Sequence, residues 1–169
     1  MWWTHPVQYY DEPLPQTITP YEYARWPRRI ASSIIDGLVL GVITLPFLSP
    51  ALSHALNASD PTRATFTGGE VRTILVVSIT AQILYFTGMH AWRGATIGKI
   101  ATGTMLLRDD GSPVTAAVAF TRAVALLGIN FVSGFLLSIP AIVNLLRPIW
   151  SPRRQTWHDQ IARTVVVRR

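Results

Sequence analysis

The chain has no cysteine. That excludes disulfides, zinc–thiolate sites and thiol catalysis at once. Acidic residues are scarce, with 9 Asp+Glu against 15 Lys+Arg and a formal charge of +6. Lysine is nearly absent: Lys99 stands alone, and every other cation is arginine. Only 14% of the 169 residues are charged while 49% are hydrophobic, too few charges for an ordinary water-facing surface. The first 28 residues hold no apolar h-region, so no cleavable leader is expected. A basic chain can bind nucleic acid. Here the cations flank apolar runs and form no single patch, so anionic lipid headgroups are the expected partner and nucleic acid is not.

What is present in quantity is long apolar sequence. The first run covers about 30–49. Some 20 residues at about 1.5 Å each cross a hydrocarbon core of about 30 Å. Asp36 lies inside this run, two helical turns after Arg29 at its mouth. A carboxylate at that depth costs about 2.5–3.5 kcal/mol on insertion scales, so it must face protein or water. Ser33, Gly37 and Gly41 form a small-residue track at four-residue spacing, which predicts close approach of another helix. Pro46 is expected to kink or stop the helix. A second run, about 73–92, carries no formal charge between Arg72 and Arg93. Ser78, Gln82 and Tyr85 share one of its faces and can reach Asp36 by hydrogen bonds, or merely glue helices. His90 near its end reads as a boundary residue.

The stretch between the runs and their flanks is polar. Residues 1–24, with four prolines and several aromatics, read as an irregular tail; Trp2, Trp3, Tyr9 and Tyr10 are of the type that anchors at a headgroup layer. The remainder, 25–169, reads as one membrane domain. Asn57-Ala58-Ser59 matches a glycosylation pattern of low specificity. A phosphate loop around Gly94 to Lys99 fails on spacing and on Ile100. Residues 104–108 and 164–168 are possible strands of a small ribbon, Asp110-Gly111 marks a turn, and Ser112-Pro113 reads as a helix start.

The third apolar region, about 114–146, allows two readings: one crossing, or a bent or re-entrant hairpin with arms near 113–134 and 135–150. Charge decides between them. With the N-terminus inside, a single crossing leaves seven cations inside and eight outside, whereas an in-and-out hairpin leaves thirteen inside and two outside. The positive-inside rule selects the hairpin, with both termini cytoplasmic at the cell membrane. Arg122 then sits either beside Asp36 as its charge partner or at the interface, snorkelling to headgroups. The fold class is therefore an all-α integral membrane bundle of two clear spans plus the hairpin, with a small cytoplasmic β-ribbon.

Three blocks, in order, resemble the RDD family of membrane proteins. Arg29-Ile30-Ala31 with Asp36 is similar to its first-helix motif. Thr96-Ile97-Gly98-Lys99 through Gly103 and Asp110-Gly111 resembles its central loop. Arg154-Gln155-Thr156-Trp157-His158-Asp159 with Thr164-Val165-Val166 resembles its closing motif. The resemblance covers about 22–168 and implies the family's arginine and two aspartates at Arg29, Asp36 and Asp159. Arg163 stands where a glycine is common. The resemblance implies a fold more than an activity, with transport or ion-exchange roles suggested for some members. No catalytic, metal or cofactor constellation is read: His158 and Asp159 are adjacent, so their side chains are expected to diverge. The expectation is a small homo-oligomeric transport-related protein, not an enzyme, in which Asp36 binds an ion or proton; the alternative is an adaptor whose charges only hold the bundle together.

Overall fold

The computed structural model describes residues 22–57 and 66–169. The aromatic anchor at Trp2, Trp3, Tyr9 and Tyr10, and residues 58 and 59 of the glycosylation pattern, lie outside the described residues. The chain is mostly helical with one two-stranded sheet. In order come α1 (Trp26–Leu56), α2 (Gly68–Arg93), α3 (Ile97–Ala101), β1 (Thr104–Arg108), α4 (Ala116–Phe135), α5 (Ile139–Leu146), α6 (Trp157–Ile161) and β2 (Thr164–Arg168). A 3₁₀ turn, Arg147–Ile149, extends α5.

Three helices, not two, are long and apolar enough to cross a membrane: α1 over Trp26–Pro50, α2, and α4, with mean hydropathies of 1.9, 1.5 and 1.6. Their outer faces bear exposed Leu38, Val42, Leu84 and Phe131. α1 does not end near residue 49; it continues through Pro46 and Pro50. Pro50 lacks the N–H that would bond the Pro46 carbonyl, and the Ser49 hydroxyl donates to that carbonyl instead at 2.8 Å. α2 opens on a capping box, Thr67 with Glu70, and closes at Gly94 in the left-handed conformation, φ 65°. His54 and Glu70, 3.3 Å apart, tie the far ends of α1 and α2.

The third apolar region folds as α4, a tight turn and a much shorter α5. Leu137 and Ser138 take φ of 49° and 63° at that turn, and the Ser138 N–H reaches back to the Ser133 carbonyl at 2.8 Å. α4 starts later than Ser112-Pro113 because Thr115, not Ser112, caps it. Ser112 closes an Asp110 turn and Pro113 bridges to Leu107.

β1 and β2 pair antiparallel, with Leu106 opposite Val166 at the centre. Two strands alone are marginal. Here the chain before α1 joins them: Tyr23 bridges to Val167, and the Ala24 N–H donates to the Val166 carbonyl at 2.9 Å. Residues 22–24 are thus part of the sheet, not of an irregular tail. Ala24, Leu106, Val114, Ala119 and Val166 make the core on one face; Leu107, Val165 and Val167 pack with Tyr23 and Met105 on the other.

The two halves of the chain repeat one plan. Thr96 and Thr156, sixty residues apart, each cap a five-residue helix. Gly94 and Arg154 precede these caps with φ of 65° and 50°; Gly103 and Arg163 follow the helices with φ of 62° and 50°. Each helix then enters a strand, Thr104–Arg108 or Thr164–Arg168. Long helix, returning helix, short helix and strand therefore occur twice, and the equivalent residues Leu106 and Val166 lie opposite each other at the centre of the strand pair. The exception is α5, at 8 residues against 26 for α2.

Candidate functional site

The short helices, the sheet and the inner ends of α1, α2, α4 and α5 gather at one end of the bundle, around two buried carboxylates. Asp36, 2% exposed, accepts three hydrogen bonds: from the Tyr85 hydroxyl at 2.7 Å, the Gly98 N–H at 2.8 Å and the Thr96 hydroxyl at 2.7 Å. Gly98 is required at this contact, since a Cβ there would collide with the Ser32 carbonyl and the Asp36 carboxylate. Asp36 thus holds α3 against α1. Of the expected polar stripe only Tyr85 reaches it. Ser78 is exposed, and Gln82 Oε1 is buried with no partner. The close approach uses Ser32 and Asp36; Ser33, Gly37 and Gly41 point away from α3, because a one-residue step turns a helix by about 100°, and Ser33 and Gly37 line the space between α1, α2, α4 and α5.

Asp159 is fully buried and has more donors still. Arg122 donates to Oδ1 from Nε at 3.0 Å and Nη2 at 2.8 Å; Arg29 Nη1 donates to Oδ2 at 2.8 Å. The Thr156 N–H completes the set at 3.2 Å, as the return bond of a capping box. Burial would raise the Asp159 pKa, but the charges of Arg122 and Arg29 outweigh it and hold the carboxyl well below the usual range. Arg122 is therefore the partner of Asp159. It is neither beside Asp36 nor at a lipid interface, because the returning tail brings Asp159 to the start of α4.

His158 and Asp159 do not diverge: both meet Arg122, with His158 Nε2 3.6 Å from Asp159 Oδ1. Asn144 on α5 accepts the Trp157 N–H through Oδ1 at 2.9 Å, which turns its amide NH₂ toward His158 Nδ1 at 3.2 Å. Arg122 Nη2, which can only donate, lies 3.0 Å from Nε2, so Nε2 is an acceptor, and the Thr156 hydroxyl is within reach of the same atom at 3.1 Å. Burial and then the charge of Arg122 push the His158 pKa down to about 3, in keeping with a neutral ring. His90, in the last turn of α2, is 1% exposed, its Nδ1 2.7 Å from the Phe86 carbonyl oxygen.

A family model for the RDD family matches residues 23–163. The chain belongs to the RDD family. Comparison with curated proteins finds no match, and comparison with solved structures finds none. Family membership and the three apolar helices together indicate a multi-pass membrane protein. In this RDD protein the first-helix arginine and the closing aspartate are one ion pair, while the first-helix aspartate binds the central loop at Thr96 and Gly98.

Above this cluster lies a cavity of about 320 Å³ between α1, α2, α4 and α5. Its floor is Arg29, Asp36, Lys99, Arg122 and His158; its walls include Leu40, Phe86, Leu126 and Leu145. Lys99 is 7% exposed, and its ammonium makes no hydrogen bond or ion pair among the described residues. Burial, then the charge of Arg122, lowers its pKa to about 7. Gly103 takes the left-handed turn into β1 and has no place in the cavity lining. The sequence reading missed Asn130 and Asn144 on the wall, and the role of His158. The sixty-residue repeat was the available signal: it aligns Lys99 with Asp159, and Ile97, whose N–H meets Tyr85, with Trp157, whose N–H meets Asn144. Among the described residues no group of His, Asp and Glu is disposed to hold a metal ion.

Proposed function

We propose that this RDD protein is a small transport-related protein of the cell membrane that holds an ion or small solute in the cavity between α1, α2, α4 and α5. The carrying observation is that cavity: a charged floor under walls that carry an apolar strip, within helices long enough to span the bilayer. The cation distribution supports an orientation with both termini in the cytoplasm. Among the described residues every Lys and Arg except Arg72 belongs to segments at the end that carries the sheet, and the positive-inside rule favours that end in the cytoplasm. Anionic headgroups around that end are the lipid partners. The reading is non-enzymatic.

One observation favours the adaptor reading. Both carboxylates are saturated by hydrogen bonds, as a purely structural fastening would be. Reconstituted vesicles with an entrapped pH dye, under imposed sodium, potassium or proton gradients, separate the two. Transport predicts protein-dependent flux that Asp36→Asn abolishes while insertion is retained. No flux in the native protein, or flux unchanged in Asp36→Asn, leaves the adaptor.

A further inference from the structure

The repeat exposes an asymmetry between its halves. Position 159 on α6 is an aspartate clamped by two arginines, whereas the equivalent position on α3 is Lys99, beneath the cavity and without a hydrogen bond or ion pair from its ammonium among the described residues. Its stem is buried while its ammonium is open to the cavity, the arrangement in which a point charge meets a ligand of opposite sign. The cluster also fails to balance. With Lys99 protonated, Arg29, Arg122 and Lys99 face Asp36 and Asp159 beside a neutral His158, so one positive charge remains over the cavity floor. Arg122 Nη1 adds a second donor with no partner among the described residues, on a side chain that also lines the cavity. Asp36 cannot compete for a cation ligand, since its oxygens are already occupied by three donors. The walls above carry an apolar strip, Leu40, Phe86, Leu126 and Leu145, beside the amides Gln82, Asn130 and Asn144.

We propose that the cavity binds a carboxylate monoanion with an apolar body, its head on the Lys99 ammonium and Arg122 Nη1 and its chain along Leu126 and Phe86. This deepens the transport reading by naming the solute class, and it rests on that reading only for movement, not for binding. The same head chemistry reaches the site either as a free short-chain carboxylate or as a fatty acid from the bilayer. Lys99 must be protonated to bind. The groups that face it are Arg29 and Asp36 from α1, His90 from α2, Arg122 from α4, and His158 and Asp159 from α6. With its pKa near 7, binding weakens as pH rises from 6 to 8.

The test is calorimetric titration of the full chain in nanodiscs, with empty discs subtracted. Hexanoate is the probe; hexanol, hexylammonium and inorganic phosphate are the controls. Saturable binding of hexanoate alone is expected. Lys99→Met lowers its affinity by about tenfold or more and removes its pH dependence. Leu126→Trp, which fills the wall and leaves the charges intact, abolishes binding and covers the case that Lys99→Met does not fold. Competition by oleate placed in the disc bilayer assigns the bilayer as source; unimpeded hexanoate binding in its presence assigns water. Equal binding of hexanoate and hexanol, preference for phosphate, or undiminished hexanoate binding in a folded Lys99→Met overturns the proposal. Hexanoate binding without flux removes transport but keeps this site; cation flux without hexanoate binding does the reverse.

Discussion

Among single residues, Asp159 carries the most. It joins the first helix to the last through Arg29 and Arg122, across 130 and 37 positions of chain. Asp159→Asn strips both arginines of their counter-charge while they stay buried. The expected loss is about 3–5 kcal/mol, a large part of a domain's stability. Thermal unfolding of the purified protein, or a fall in folded yield, measures it. His158 sets an acid limit. Its folded pKa of about 3 lies below the unfolded value of about 6.5, so between those values only the unfolded chain takes up the proton. Stability is unaffected by this group above about pH 6.5 and falls as pH drops toward 3, by up to about 1.4 kcal/mol per unit. Asp159, depressed below its usual range, adds a loss in the same direction once pH falls below about 4. Denaturation from pH 7 to pH 4 should show this slope, and His158→Asn should reduce it.

At the scale of elements, the short helices matter more than their five residues suggest. Each is too short to hold its own shape in water. Each is defined by a threonine cap at one end and a left-handed residue at the other. Gly103 suits that conformation, but Arg163, with φ of 50°, does not. A left-handed L-residue costs about 1–2 kcal/mol, and the extra unfolded freedom of glycine offsets about 0.5–1 of it. Arg163→Gly should therefore stabilise the fold by roughly 0.5 kcal/mol, readable as a small rise in melting temperature. An unchanged or lowered midpoint would show that Arg163 contributes contacts exceeding its strain.

For the whole molecule, the short α5 is the decisive departure from twofold repetition. α2 runs the full length of its half, while α5 stops early and contributes only Ala141, Asn144 and Leu145 to a cavity wall otherwise made by α1, α2 and α4. The chain still returns to the end where it began, because β2 must pair with β1 and Asp159 must meet Arg29. A reporter fused at Arg169 should therefore read the cytoplasmic side, and one inserted between Leu56 and Phe66 the opposite side. The same side for both would refute the proposed topology.

Three things were legible in the sequence alone. The apolar runs gave span-length helices, because a lipid-facing helix must be apolar along its length and that needs no knowledge of neighbours. The Arg29, Asp36 and Asp159 blocks marked the family, and an acid inside an apolar run had to be sheltered. Which group shelters which acid was decided only by the tertiary structure. Arg122 lies 86 positions from Asp36 and 37 from Asp159, and neither spacing says which is touched; the β1–β2 pairing and the turn at Leu137–Ser138 bring the tail to α4 and settle it. Lys99 stayed unremarkable as a loop cation until packing buried it without a partner among the described residues, since burial is a property of everything that closes around a residue and not of the residue itself.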